Sequence, residues 1–195
     1  MMHNSFLSDL TNPVQPIPGG GAVAAYTGAV GLALLEKIVR IEMRRDPSVS
    51  ADHSWEELLA QISVLSKNLY RLRDEDGKSY MRLAKVKASG SGETEVSAAL
   101  QQAIDCPMKI MEQVDTALRC VSQVSEHCKK HLLSDLQVVS ELLGAAGRGA
   151  FHIAQANLPL MTDPALKADY QSRLAELNDS CCEALKLLET LILKI

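Results

Sequence analysis

Aromatic side chains are scarce in this chain. One Trp, two Phe and four Tyr make up 4% of 195 residues, although hydrophobic residues reach 47%. Leu, Ala, Val and Ile must therefore fill the core, a diet that suits helix-on-helix packing better than a β-sandwich. Positive charge is not in excess either: 20 Lys and Arg face 24 Asp and Glu, a net charge of −4, which excludes a general nucleic-acid binder. Neither GxxxxGK[ST] nor GxGxxG occurs, so the common mononucleotide and dinucleotide loops are absent. The five cysteines form no CxxC pair, and their odd number fits reduced thiols in a cytoplasmic protein. Residues 1–12 carry His3, Asn4 and Asp9 where a secretory signal would need a basic start and an apolar core. The longest apolar run, Gly20 to Leu35, is shorter than the roughly 20 residues that cross a bilayer. One domain over residues 1–195, with no membrane partner, is the expectation.

What is present is helical periodicity. Phe6, Leu7 and Leu10 mark a short lead-in helix over Ser5 to Thr11. A second helix runs from Gly20 to Arg45. Pro47 stops it in a loop over Asp46 to His53, and Ser54 with Glu57 reads as a capping box for the third. Asp74 to Gly77 should loosen that third helix, and Ala88 to Gly92 should break the chain. A fourth helix from Thr94 carries a Pro107 expected to kink it. A fifth has the stripe Leu132, Leu136, Val139, Leu143, Ala146, Ala150 and Ile153. The last runs from Ala165 to Lys194, after Pro159 and Pro164. With no period-two run, the fold class predicted is all-α, an up-and-down helical bundle of five to six helices. The small residues Gly21, Ala25, Gly28 and Ala29 share one face of the second helix and admit a close partner, predicting a homodimer packed through that face or a neighbouring helix.

The stretch most suggestive of function is Pro16-Ile17-Pro18-Gly19-Gly20-Gly21. Two prolines stiffen the approach, and three glycines permit φ > 0 and leave N–H groups uncovered. A glycine loop that opens a helix offers unpaired donors and the positive end of the helix dipole to an anion or polar heterocycle. His127, His131 and Asp135 lie at i, i+4 and i+8, a spacing that can ligate zinc, but Lys129 and Lys130 between them oppose a cation, and no metal is expected. Asp135 is one step from the apolar stripe, where half burial would raise its pKa toward the range of acid–base work.

Pro18 to Gly31 resembles the signature Pro-Gly-Gly-Gly-x-Val-Ala-Ala-x-x-Gly-Ala-x-Gly of the formiminotransferase-cyclodeaminase C-terminal domain family. Asp74 to Tyr80 is similar to that family's Asp-Glu-Asp-Ala-x-Ala-Phe segment, and Ala103 to Pro107 to its Ala-x-x-x-Pro helix. Ser134-Asp135-Leu136, followed by Asn157-Leu158, resembles its Ser-Asp-Leu helix and terminal Asn-Leu. The resemblance implies an all-helical homodimer that binds a tetrahydrofolate derivative near the subunit interface and needs no cofactor beyond that substrate. It implies Asp135 as the catalytic acid–base, and Pro18, Gly19, Gly20, Gly21, Asp76, Tyr80, Ser134 and Asn157 as substrate contacts; Arg40 and Arg44, with Lys37, are candidates for an anionic tail. The reaction expected first is hydrolysis of 5,10-methenyltetrahydrofolate to the 10-formyl compound, with 5-formiminotetrahydrofolate cyclodeamination as the alternative. The chain departs from the family pattern at Ala22, at Lys37 to Glu42 and at Cys128 to His131, so a non-catalytic folate-binding or structural dimer is a third reading.

Overall fold

The structure, a computed structural model, describes residues 5–45 and 53–193. Among them are six helices: α1 (Ser5–Leu10), α2 (Gly20–Arg45), α3 (His53–Ala88), α4 (Glu93–Ser125), α5 (Leu133–Asn157) and α6 (Pro164–Leu193). Short 3-10 turns at Lys130–Leu132 and Leu158–Leu160 lead into and out of α5. No strand occurs among the described residues, so the all-α expectation holds.

Side-chain partners give the direction of each helix. Along α2 and α3, Gly21 lies against Asp76 and Gly28 against Leu69; along α2 and α5, Gly20 lies against Ile153, Gly28 against Ala146 and Gly31 against Leu142. Both pairs are antiparallel. Asn68 donates to Gln113, and the Cys106 thiol to the Leu72 carbonyl, across an equally antiparallel α3–α4 seam. The α6 helix covers α4 and α5, tied by Tyr170 to Asp105 at 2.8 Å and by Ser180 to Asp115 at 2.7 Å. Helices consecutive in the chain thus alternate in direction, as an up-and-down bundle requires, and α6 runs parallel to α4. Its core is aliphatic, with Leu32, Leu35, Ile62, Leu69, Ile104, Ile110 and Leu118 fully buried.

Several local expectations change. The small-residue face of α2 is used inside the chain: a Cβ on Gly28 would lie 3.0 Å from Leu69 Cδ1, 3.5 Å from Ala146 and 3.8 Å from Val114. Three neighbouring helices converge where that side chain is missing, and Ala29 is equally buried. That face therefore has no surface left for a second copy. The α3 helix is not loosened at Asp74 to Gly77 but runs on to Ala88. Gly77 is buried beside Ile17, and burial of Leu83 and Val86 outweighs the roughly 1 kcal/mol that glycine costs a helix. Pro107 does lie inside α4, as expected, and is buried. Because α3 starts at His53, Ser54 stands inside its first turn; Asp46 to Asp52, with Pro47, lie outside the described residues. In α1 Phe6 is partly covered, while Leu7 and Leu10 are exposed. By length and composition α2 could cross a membrane, since it extends past Leu35 to Arg45; its apolar side nevertheless packs into the bundle, with Leu32, Leu35, Ile38 and Val39 at zero exposure.

Candidate functional site

The glycine loop enters α2 at Gly20, and its glycines serve closeness rather than unusual dihedrals. Among the described residues only Gly90 has a positive φ. A Cβ on Gly21, by contrast, would lie 2.0 Å from Asp76 Oδ1 and 2.5 Å from its Cγ, and one on Gly20 would lie 3.0 Å from Ile153 Cδ1. The space a side chain would fill is taken by the Asp76 carboxylate, projecting from α3. The Ala22 N–H donates to Asp76 Oδ2 at 3.0 Å, so a carboxylate from another helix caps a free N–H at the start of α2. Burial pushes the Asp76 carboxyl above its ordinary value of 3.8, against the opposing pull of the Ala22 hydrogen bond.

Asp76 lines a cleft of about 290 Å³. One wall is Pro16, Ile17 and the three glycines; the facing wall is Ser79, Tyr80 and Leu83 of α3, closed by Ala103 of α4 and by Ile153 and Asn157 of α5. Asn157 Nδ2 donates to the Ile153 carbonyl at 3.2 Å and, more weakly, to Ala103 at 3.5 Å. Its carbonyl oxygen accepts nothing from the described residues. Tyr80 keeps 52% of its surface exposed, leaving a ring edge at the mouth. Apolar walls with a few convergent polar groups suit a flat heterocycle, and a partly buried carboxyl raised above its ordinary value can take part in proton transfer beside it.

Five of the sequence-predicted contacts meet here in one chain with Asp76: Gly19, Gly20, Gly21, Tyr80 and Asn157. Pro18 faces an adjoining hollow beneath α1, alongside Phe6 and Arg73. There the Arg73 guanidinium stacks over Phe6 at 5.6 Å and Tyr70 at 5.5 Å, holding α1 to the bundle. Asp135 and Ser134 are elsewhere. They occupy the first turn of α5, roughly 27 Å along the helix from Ile153. Ser134 is exposed and makes no cap; the residue before the helix is Leu132. Arg40 and Arg44 are exposed near the far end of α2, Arg40 bonding Glu36 at 2.7 Å. The chain turns between α4 and α5, so His127, His131 and Asp135 do not share a helix face, and no three His, Cys, Asp or Glu side chains converge among the described residues. At that same end Glu42 is buried to 1% exposure, paired with Arg45 and accepting the Lys129 N–H at 3.4 Å. The anion introduced by the sequence's departure from the family pattern is thus neutralised within the fold.

Sequence reasoning missed Ser79 and Ile153. Ser79 was findable, three residues after Asp76 and hence on the same helix face; Ile153 reads as an ordinary core position. The buried cysteines are not candidates for nucleophiles, because burial pushes Cys106 and Cys181 up to about 12 and Cys128 to about 11.

Comparison with known proteins places this geometry. A family model described as formiminotransferase-cyclodeaminase matches residues 2–176. Formimidoyltransferase-cyclodeaminase of Rattus norvegicus is 27% identical over 168 residues, covering 82% of this chain and 31% of that protein. The protein of the same name from Sus scrofa is 29% identical over the same span. The chain therefore spans about a third of the length of the curated relatives it matches. Formiminotetrahydrofolate cyclodeaminase of Thermotoga maritima shares the fold, with a TM-score of 0.87, 21% identity, and coverage of 95% of this chain and 93% of that one.

Proposed function

The chain belongs to the formiminotransferase-cyclodeaminase family, and from that premise we propose that its glycine-loop cleft binds a tetrahydrofolate derivative and transforms the one-carbon unit between N5 and N10. The observation that carries this reading is the Asp76 carboxylate, partly buried against the α2 N-terminus in a cleft shaped for a flat heterocycle. The names of the relatives favour cyclodeamination of 5-formiminotetrahydrofolate over the cyclohydrolase reaction put first on sequence. In that reaction N10 attacks the formimino carbon, giving a tetrahedral centre, and the amine leaves as ammonia once it has gained a proton. Asp76, whose carboxyl is raised above its ordinary value by burial, supplies that proton and recovers one as N10 loses its own. Addition of water to 5,10-methenyltetrahydrofolate passes through a related tetrahedral carbon and asks the same of the carboxylate, so it remains the second reading.

Purified protein should release ammonia from 5-formiminotetrahydrofolate while methenyl absorbance appears. Loss of methenyl absorbance with no ammonia from the formimino compound would favour the cyclohydrolase. Calorimetric binding of a reduced folate without either turnover would favour a non-catalytic binder. The absence of both binding and turnover would defeat the folate reading.

Assembly enters because Asp135 is too far away to reach the cleft of its own chain. The outer stripe of α2 runs Val30, Ala33, Lys37, Arg40 and Arg44, all exposed, apolar at one end and basic at the other. A second copy laid antiparallel along this stripe brings its Asp135 end toward the glycine loop. We expect a homodimer by light scattering at micromolar concentration, and Val30→Glu with Ala33→Glu should yield a monomer with lowered turnover. A wild-type monomer with full turnover would remove Asp135 from the site.

A further inference from the structure

Beside the cleft lies a second hollow, of about 290 Å³, on the α3–α4 seam. Ser79 lines both. Three cations border it: Lys78 and Arg82, one turn apart on α3, and Lys109 on α4. Its two acids are already engaged, Glu75 with Arg71 at 2.6 Å and Asp105 with the Tyr170 hydroxyl at 2.8 Å. Arg82 gives one N–H to Gln102, while Lys78 and Lys109 have no ion-pair partner among the described residues. Three positive charges thus face one hollow in which Glu75 is balanced by Arg71 and Asp105 alone keeps its negative charge, a surplus of cations that recognises carboxylates.

We propose that this groove binds the glutamate carboxylates of the folate whose ring system occupies the adjoining cleft, with Lys78, Arg82 and Lys109 as the recognising groups. The proposal rests on the folate reading above. From Asp76 to Arg82 along α3 is about 9 Å, and a folate places its benzoyl spacer between its ring system and its glutamate. The assignment also moves the tail site. Arg40 and Arg44 lie roughly 30–36 Å along α2 from Gly20 and reach a glycine loop only from another copy.

Two probes isolate the glutamate: tetrahydrofolate, and tetrahydropteroate, which lacks only that residue. By calorimetry the wild type should prefer tetrahydrofolate roughly tenfold, the size expected of two partly exposed ion pairs, and the preference should shrink at high salt. In Lys78→Ala/Lys109→Ala, tetrahydropteroate affinity should be unchanged, showing an intact fold and cleft, while the preference disappears. Persistence of the preference in that variant, or its loss in Arg40→Ala/Arg44→Ala instead, would overturn the groove. If the wild type binds both probes equally, the groove falls while the folate reading stands. If it binds neither, the folate reading falls and the groove with it.

Discussion

Asp76→Asn should lower turnover roughly 10²–10⁴-fold, the usual worth of a positioned acid–base group, and leave reduced-folate affinity within a few fold. The amide keeps the shape of the side chain and its oxygen still accepts the Ala22 N–H, so the start of α2 remains capped; what it lacks is a titratable proton. The variant also carries a stability signature with a definite sign. Burial raises the Asp76 carboxyl in the folded state, so folding favours the protonated form. The corresponding stability is fully present below the ordinary value of 3.8 and is lost as pH rises through the folded value. Asparagine pays no such penalty, so the stability of Asp76→Asn relative to wild type should increase from about pH 4 upward. Denaturant titrations across that range test it. Wild-type turnover in Asp76→Asn would strip the residue of its proton-transfer role.

Gly21→Ala should be nearly as damaging for a different reason. The new methyl would sit 2.0 Å from Asp76 Oδ1, well inside contact distance, so the carboxylate must rotate away and give up the Ala22 N–H. Turnover should fall by roughly 10²-fold or more, and overpacking should cost about 1–3 kcal/mol of stability. Because one contact causes both effects, they must be coupled: in an Asp76→Ala background Gly21→Ala should cost little further stability, a non-additivity that a double-mutant cycle measures. Gly19→Ala is the internal control, since a Cβ there meets nothing within 4 Å. Equal effects of the two alanines would show that the loop responds to lost backbone freedom and not to the Asp76 contact.

These two residues also mark where the sequence stopped being legible. Helical periodicity located the starts of α1, α2, α3, α4 and α6 within a residue, because burying a stripe of Leu, Ile and Val is a local pattern. The loop was legible as a site, but its three glycines suggested left-handed backbone, whereas Gly21 is small to admit the Asp76 carboxylate from another helix. Nothing local announces that contact. Likewise Gly77 and the acids before it read as a helix break, until Ile17 is seen packed on the glycine. Asp135 and the glycine loop looked like parts of one site because both belong to the family pattern; the antiparallel pairing of α2 with α5 puts them at opposite ends of the bundle. The departure at Glu42, an anion where the family pattern has none, proves to be a buried ion pair with Arg45.

The most direct measurement is a crystal structure of the protein with tetrahydrofolate bound. The ring system should lie in the cleft between Gly20 and Tyr80, with N5 or N10 within hydrogen-bond reach of Asp76. A ligand seated away from the glycine loop, with Asp76 still bonded only to Ala22, would contradict the account.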